Sequence, residues 1–249
     1  MKELLRRGFR AAMLALLHLR SRPLGTTPAG RVLVLAPHQD DEALGCAGLI
    51  LARRTAGQPV AIVYLTDGAG SHPGHPLLPP RELARRRRAE AVQAMQGLRV
   101  EAGSLHFLDA ADGTLAHLRP EEAEALAGRL AGVIAAQGPT ELYLPCRADG
   151  SSEHEAAFRI VQRALQLAPV GVRLLEYPVW ARWSPQRLIR PCLSGRVWRL
   201  AFPGQLAHKR ATLACYVSQA EPTPPWPDPV LPRGFIRCFE TAEEYFFEA

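Results

Sequence analysis

A histidine and three consecutive carboxylates lie close together near the start of the chain. In the stretch APHQDDEALG, residues 36–45, His38 is followed by Asp40, Asp41 and Glu42, directly after the apolar run RVLVL. Unpaired carboxylates are costly where a buried strand ends, so a cluster of this kind with a histidine usually means that a cation supplies the missing charge. The stretch therefore indicates a metal site.

A second polar segment, RADGSSEHEAAF, supplies a further histidine, His154. His38 and Asp41 are three positions apart, near enough to bind one ion, and His154 would complete a set of two histidines and one carboxylate. Three protein ligands with an open fourth position are typical of catalytic zinc, which lowers the pKa of a bound water. Asp40, a carboxylate outside this ligand set, is the predicted general base.

The alternative interpretation of PHQDDE is a capped helix start. Acidic side chains at a helix N-terminus satisfy free backbone amides and interact favourably with the helix dipole. One carboxylate would be enough for that purpose, so three in a row together with His154 favour the metal site. We assign Glu42 alone mainly to the capping role.

Apolar strands alternate with helical patterns through the first two thirds of the chain. The predicted strands are RVLVLA, VAIVYLT, SLHFLD and ELYLPC, and the predicted helices lie near residues 42–56, 80–97, 120–137 and 153–168. Continuous apolar strands separated by helices are typical of parallel βαβ units. The predicted fold class is therefore α/β, a doubly wound, mostly parallel sheet with helices on both faces.

This architecture would bring the two polar segments together. In the common strand order 3-2-1-4-5, the first and fourth strands are neighbours, and ligands gather at the carboxyl ends of the strands where the order reverses. His38 and Asp41 follow the first predicted strand, and His154 follows the fourth. We therefore expect all three side chains to share one crevice.

The pattern becomes less regular beyond about residue 170, where it includes a helix near 204–216 and the proline-rich segment EPTPPWPDPVLP. We expect that segment to be a wrapping loop, since little chain remains beyond it. The predicted organisation is one domain over residues 30–249, with a C-terminal extension from about residue 170, preceded by an N-terminal amphipathic helix over residues 1–25.

The N-terminal helix is basic as well as amphipathic. Its apolar residues lie at roughly helical spacing and are Leu4, Leu5, Phe9, Met13, Leu14 and Leu17; the basic residues among them are Arg6, Arg7, Arg10, Arg20 and Arg22. Such a helix either packs on the core of its own domain, which is the commoner use, or lies on an anionic membrane surface. Its apolar centre is too short to span a bilayer.

Composition narrows the class of protein without naming a ligand. A net charge of +6 and a pI near 9.4 favour anionic partners. The five scattered cysteines contain no CxxC pair, so they predict a reduced, cytoplasmic setting, with peripheral contact at the inner membrane surface as an alternative. The arginine run at residues 85–88 lacks a recognisable nucleic-acid-binding module, and we expect no nucleic-acid partner.

Taken together, these segments resemble the LmbE-like, or PIG-L, family of zinc-dependent N-deacetylases, whose hallmark is a PHxDDE-type motif after the first strand. The resemblance continues through LTDGAGSH at residues 65–72, HFLDAADGTL at 106–115, DGSSEH at 149–154 and a late lysine followed by YVSQ at 216–219. It implies a Rossmann-like fold, a Zn²⁺ cofactor and a small-molecule substrate. The implied reaction removes an N-acetyl group from an N-acetylglucosamine-containing glycoconjugate or a lipid-linked saccharide.

The resemblance assigns the metal ligands and the general base to the same residues as above, and it identifies one departure. Family members commonly read HPDH where this chain reads SSEH at residues 151–154, so Ser151 occupies the position of a histidine that assists the reaction. A serine cannot supply a proton at neutral pH as an imidazolium does. A second hypothesis is therefore a metal-binding but catalytically weak carbohydrate-binding protein.

Three side chains are predicted to bind substrate, namely Ser151, Arg87 and Asp67. By resemblance Arg87 faces the sugar pocket, although a helical pair with Glu90 would equally explain both residues. Asp67 precedes a glycine, so either sugar binding or turn formation is plausible. In the segment SHPGHPLLPP we expect two surface histidines, at positions 72 and 75; the alternative is that they cover the site and replace the missing histidine.

Overall fold

An eight-stranded sheet runs through the centre of the computed structural model, which describes residues 2–25 and 30–248, with residues 2–7 described in backbone only. The strands are β1 (Ser21–Pro23), β2 (Val32–Ala36), β3 (Val60–Thr66), β4 (Leu105–Ala110), β5 (Glu141–Pro145), β6 (Arg173–Tyr177), β7 (Val197–Ala201) and β8 (Glu243–Glu248). Their order is β1-β7-β8-β6-β5-β2-β3-β4, and within these residues β8 alone runs antiparallel to its neighbours.

Helices cover both faces of this sheet. They are α1 (Lys2–Arg20), α2 (Asp41–Thr55), α3 (Pro80–Gly97), α4 (Pro120–Gln137), α5 (Ser152–Leu167), α6 (Trp180–Trp183), α7 (Ile189–Ser194), α8 (Leu206–Ala214), α9 (Val217–Ala220) and α10 (Arg233–Ile236). The bounds of α2, α3, α4 and α5 differ from the predicted bounds by at most one residue. Pro80 and Pro120 begin α3 and α4, where the missing N–H costs nothing.

Strand β2 shows why the sheet is buried on both sides. All five of its residues are buried. Val32, Val34 and Ala36 join the core cluster that contains α2 and α3, whereas Leu33 and Leu35 join the cluster that contains α4 and α5. A strand between two helical layers must be apolar at every position, because its side chains alternate between the two faces.

The strand order confirms the predicted doubly wound α/β fold. From the edge inward, β4, β3, β2, β5 and β6 reproduce the order 3-2-1-4-5. Strands β2 and β5 pair in parallel, with Val32 opposite Glu141 and Val34 opposite Tyr143. The segments that leave their carboxyl ends therefore start side by side.

The C-terminal extension is more ordered than its sequence indicates. It contributes β6, β7 and β8 to the sheet, in addition to α8, which was predicted near residues 204–216. The sequence pattern looks irregular because β6 and β7 are only partly buried and β8 reverses direction. In addition, helices α6, α7, α9 and α10 have only four to six residues each.

Helix α1 packs against this extension. Met13 and Leu17 are buried in a cluster that includes Leu188, Cys192 and Phe247. Strand β1, which follows directly, pairs with β7. The side chains of four residues of the predicted amphipathic faces lie outside the described residues, as do residues 26–29 at the predicted domain boundary; the four are Leu4, Leu5, Arg6 and Arg7. Among the residues described, no helix is long and apolar enough to cross a membrane.

Candidate metal centre and active site

The ends of β2 and β5 bring two histidines and one aspartate together. His38 lies in the turn after β2, Asp41 begins α2, and His154 lies in the first turn of α5. Asp41 Oδ2 is 3.3 Å from His38 Nδ1 and 3.5 Å from His154 Nε2. One potential ligand atom from each residue lies within 4.8 Å of the other two. Segments more than a hundred residues apart in sequence therefore form one cluster, as expected from the strand order.

A ring nitrogen of this cluster that lacks a hydrogen-bond partner favours a bound metal ion. His154 is fully buried, and its Nε2 atom has no hydrogen-bond partner among the described residues. A buried polar atom without a partner is costly, and a cation bound by Nε2 would remove that cost. Two imidazoles and one carboxylate are a donor set that suits divalent transition metals and leaves room for further ligands.

Asp149 fixes the orientation of His154 from behind. The carboxylate, which is fully buried, lies 2.8 Å from His154 Nδ1 and also accepts hydrogen bonds from the backbone N–H groups of Val179, Trp180 and Ala181. A carboxylate on the outer ring nitrogen sets the tautomer of a metal-binding histidine and leaves the other nitrogen for the metal. Asp149 is the first residue of the segment DGSSEH, but its contacts with His154 and the extension arise only in the folded chain.

The charges of the cluster are strongly coupled. Burial would raise the pKa of Asp41, but His154 and His38 outweigh it and hold that pKa well below its usual range. Burial would lower the pKa of His154, yet Asp41 and Asp149 raise it to about 9. The carboxylates therefore favour a positive charge at this position, which either protons or a metal ion can supply.

Asp40 lies beside the cluster in a strained conformation. Its backbone φ is 150°, in a region that residues with a side chain rarely adopt. The carboxylate is buried, with Oδ1 3.4 Å from Arg87 Nη2. Burial raises the pKa of Asp40 to about 7, although the charge of Arg87 opposes that shift. A carboxyl group with a pKa near neutrality can both accept and return a proton.

The second ring nitrogen of His38 faces two further carboxylates. His38 Nε2 is 3.0 Å from Asp112 Oδ1 and 3.8 Å from Glu153 Oε2. Burial would lower the pKa of His38, but hydrogen bonds to Asp112 and Asp41 raise it well above its usual value. Asp112 follows β4 and belongs to the segment HFLDAADGTL, which carries part of the family resemblance, and tertiary structure brings it beside His38.

A cavity of about 500 Å³ opens above this cluster. Its floor includes His38, Asp40, Asp41, Arg87 and Asp112, and its rim includes Ser151 and Ser152 at the start of α5. The C-terminal extension closes the far side with Trp180, Gln219, Leu231 and Phe235. Polar groups thus converge at the floor while aromatic and aliphatic side chains form the wall, as in many small-molecule sites.

Of the predicted substrate-binding residues, Arg87 lines the cavity and Asp67 does not. Arg87 lines the cavity and donates to the carbonyls of Gln39 and Gly68, at 2.8 and 3.2 Å. Its alternative partner, Glu90, instead contacts Arg86. Asp67 lies outside the cavity lining, where its carboxylate accepts from the backbone N–H groups of residues 69 and 112, so its geometry is that of a turn residue.

Ser151 lies where it was expected, whereas the two loop histidines do not. Ser151 lines the cavity and caps α5, accepting from the backbone N–H of residue 154 at 3.4 Å. The expectation that His72 and His75 are surface residues is wrong: both are buried against Trp226, with ring centroids 5.5 and 4.8 Å away. Thr223 contacts both histidines, and neither one lines the cavity.

Glu42 has a role close to the predicted one. Its Oε2 atom accepts from the backbone N–H of Asp40 at 3.1 Å, which stabilises the entry into α2. The Tyr216 hydroxyl donates to its other oxygen. Burial raises the pKa of Glu42 to about 8, although the hydrogen bond from Tyr216 opposes this. Glu42 therefore links α2 to the C-terminal extension.

The fold and the site define the class as an α/β protein with a cluster of histidines and carboxylates that could hold a metal ion, at the carboxyl edge of its sheet. Residues 33–165, more than half of the chain, match the GlcNAc-PI de-N-acetylase (PIG-L) family. The chain belongs to this family, and that membership supports a hydrolytic N-deacetylase acting on a GlcNAc-type substrate. None of the curated proteins compared with the chain matches it.

Solved structures share the fold. The N,N'-diacetylchitobiose deacetylase of Pyrococcus horikoshii superposes with a TM-score of 0.59 at 19% identity, covering 78% of this chain and 72% of that one. The conserved protein TT1542 of Thermus thermophilus gives 0.57 at 26% identity, with 76% and 80% covered. The zinc-inhibited form of teicoplanin deacetylase gives 0.59 at 19% identity, with 76% and 84% covered.

Proposed function

We propose that this protein is a zinc-dependent hydrolase that removes an N-acetyl group from an N-acetylglucosamine-containing glycoconjugate or lipid-linked saccharide. The observation that carries the proposal is the cluster of His38, Asp41 and His154, which lies directly beneath a sugar-sized cavity. His38, Asp41 and the neighbouring Asp40 line that cavity. Family membership supports the reaction. The donor set supports zinc, and the zinc-inhibited form of a deacetylase with this fold supports zinc binding on the fold.

We assign the three clustered residues as the metal ligands. The chemistry that a zinc ion supplies when bound by them is polarisation of an amide carbonyl and acidification of a water. The protein's own contribution is to hold the ligand atoms in place. Asp149 orients His154 through its contact with Nδ1. Asp112 contacts Nε2 of His38 and orients that ring in the same way.

Asp40 is the proposed general base. Its carboxylate borders the cavity, and Arg87 holds it from the other side. In this role Asp40 takes the proton of the attacking water as the new C–O bond forms. The departing amine then needs a proton when the C–N bond breaks. His38 contributes the one imidazole among the described residues that line the cavity, and it is assigned as a metal ligand. We therefore assign to Asp40 the transfer of the water proton to the departing amine.

Arg87 and Ser151 are proposed to contact the sugar. Arg87 is held by two backbone carbonyls and stays beside the reacting groups, so that it can stabilise both Asp40 and a substrate hydroxyl. Ser151 supplies a neutral hydroxyl at the rim. Because Asp67 is bound by backbone amides, we propose that it shapes the loop that carries Gly70 rather than contacting the substrate directly.

Zinc analysis combined with an amine-release assay tests this function. The purified protein, loaded with one equivalent of zinc, is assayed against a panel of N-acetylglucosaminides that includes soluble and lipid-linked members. Turnover of at least one member that is lost with zinc content in His154→Ala supports the proposal. The matched control is His106→Ala, which removes a part-buried histidine that contacts Gln137, outside the cavity lining. Zinc and sugar binding without turnover would instead identify a catalytically weak carbohydrate-binding protein.

A further inference from the structure

Basic residues are concentrated in two segments that contain no acidic residue. Residues 4–39 and 177–220 together hold 13 of the 30 lysines and arginines and none of the 24 aspartates and glutamates. The two segments meet in the structure, because α1 contacts α7 and the turn at Pro185–Leu188. Where they meet, residues 13–20 and 185–194 present cationic and apolar side chains and no carboxylate on one side of the molecule.

Part of this side is apolar and exposed. Leu19 is 82% exposed, Leu193 is 56% exposed and Ile189 is 39% exposed. Ile189 and Leu193 are four positions apart on α7 and so share one helix face. Arg20, next to Leu19, donates a hydrogen bond to the carbonyl of Leu193 at 3.2 Å, which places the end of α1 beside α7. The exposed leucine at the end of α1 therefore lies near the exposed face of α7, and we call these three side chains the apolar patch.

Exposed arginines border the same patch. We call the combined surface the docking face; it consists of Leu19, Arg20, Arg187, Ile189, Arg190 and Leu193. The nearby Arg199, on β7, is neutralised, since it pairs with Glu243. In the part of the chain that the structure describes, no carboxylate forms such a pair with the arginines of the docking face.

The docking face continues to the mouth of the cavity. Arg187 covers Gly150, a lining residue, so closely that a Cβ atom on that glycine would overlap the Arg187 guanidinium. Trp180 also lines the cavity, packs against Phe235 and is 38% exposed. A surface that touches the docking face would therefore lie next to the cavity entrance.

We propose that the docking face binds an anionic membrane surface. Arginines beside exposed leucines match the boundary between anionic headgroups and acyl chains, where basic residues gain electrostatic energy and apolar side chains are buried. A second copy of this chain is a poorer occupant, because it would present the same positive charge. Helix α1 thus combines both uses considered for it: Met13 and Leu17 pack on the protein, while Leu19 and Arg20 face outward.

This orientation favours one substrate class within the proposed function. With the docking face on the bilayer, the cavity entrance lies at headgroup height, where the saccharide of a lipid-linked substrate is found. That consequence rests on the proposed deacetylase activity, whereas membrane binding itself does not. The two claims can therefore fail separately.

Vesicle sedimentation without substrate tests the docking. The zinc-loaded protein is mixed with vesicles of phosphatidylcholine alone or of phosphatidylcholine with phosphatidylglycerol, at about 0.1 M salt, where surface charges still act over roughly 10 Å. Each arginine near an anionic surface contributes roughly fivefold in affinity, so Arg20→Glu/Arg190→Glu should weaken binding to the anionic vesicles by about 25-fold or more. The matched control, Arg129→Glu/Arg159→Glu, changes the net charge equally through exposed residues of α4 and α5 and should bind within about threefold of wild type.

A second pair of variants separates the apolar contribution. Leu193→Ser should weaken vesicle binding several-fold, while Leu167→Ser, at an exposed leucine of α5, should leave it unchanged. Zinc content and turnover of a soluble N-acetylglucosaminide should be unaffected in both. The proposal would be overturned if the wild-type protein bound both kinds of vesicle equally well or bound neither kind. It would also be overturned if the control variants lost as much vesicle binding as the variants of the docking face. So would a change of oligomeric state in the arginine variant, measured by sedimentation velocity, because that would assign the face to a second copy.

Discussion

The Asp149 carboxylate joins His154, a proposed metal ligand, to the backbone of the C-terminal extension. Asp149→Asn removes the charge of that side chain without changing its size. The two carboxylate oxygens accept from Val179 N at 3.1 Å, Trp180 N at 2.9 Å and Ala181 N at 2.6 Å, in addition to contacting His154 Nδ1 at 2.8 Å. Every one of these neighbours can donate a hydrogen. An asparagine would place its own NH₂ group against at least one of them.

We expect Asp149→Asn to lower both the free energy of unfolding and the affinity for zinc. Losing a charge-assisted hydrogen bond in a buried site costs about 1.5–3 kcal/mol of folding free energy. Losing the outer carboxylate of a metal-binding histidine typically lowers metal affinity by about 10- to 100-fold. Zinc affinity should therefore fall by at least tenfold in Asp149→Asn, and the metal-free protein should also unfold more easily.

Competition against a chromophoric chelator measures the zinc affinity, and urea denaturation of the metal-free protein measures the folding loss. Asp109→Asn is the matched control, because Asp109 is exposed and contacts Arg88, outside the cavity lining. A zinc Kd for Asp149→Asn within twofold of wild type would refute the assignment of Asp149 as the residue that orients His154.

Three other changes probe the core, the charge state and the rim of the site. Lys209→Met leaves the Glu244 carboxylate buried without its cation and should lower the free energy of unfolding by about 3–5 kcal/mol in urea denaturation; a loss under about 1 kcal/mol would contradict this. Zinc must displace a proton from His154, whose pKa is raised to about 9 in the metal-free site, so affinity measured in metal buffers should keep rising up to about pH 9; a plateau from pH 7 would contradict it. Ser151→His should raise kcat on a soluble N-acetylglucosaminide by up to about 10²-fold, and an unchanged kcat would reject imidazole assistance.

Local sequence patterns were sufficient for the central fold. Strands β2, β3 and β5 are buried throughout and mostly apolar because both faces are covered, and that signal needs no knowledge of their partners. The clustered residues His38, Asp41 and His154 could be anticipated for a related reason. Each follows a strand end that the common parallel order places at one crevice.

Roles that depend on long-range packing could not be anticipated. Asp149 binds backbone amides about thirty residues further along the chain, and no local pattern indicates those bonds. His72 and His75 look like exposed loop residues until Trp226, from the proline-rich segment, packs on them. The final strand of the sheet, β8, pairs with β6 and β7 in the antiparallel sense, which interrupts the βαβ pattern.

The most direct test of the central claim compares zinc content with turnover in Asp40→Asn. Asparagine keeps the shape of the side chain and removes the oxygen that would accept a proton, while the three proposed ligand residues are left intact. The protein should retain one equivalent of zinc, and kcat on its best N-acetylglucosaminide should fall by about 10²- to 10⁴-fold. Retention of zinc with near-normal kcat would contradict the account, because Asp40 could then not be the group that activates the water.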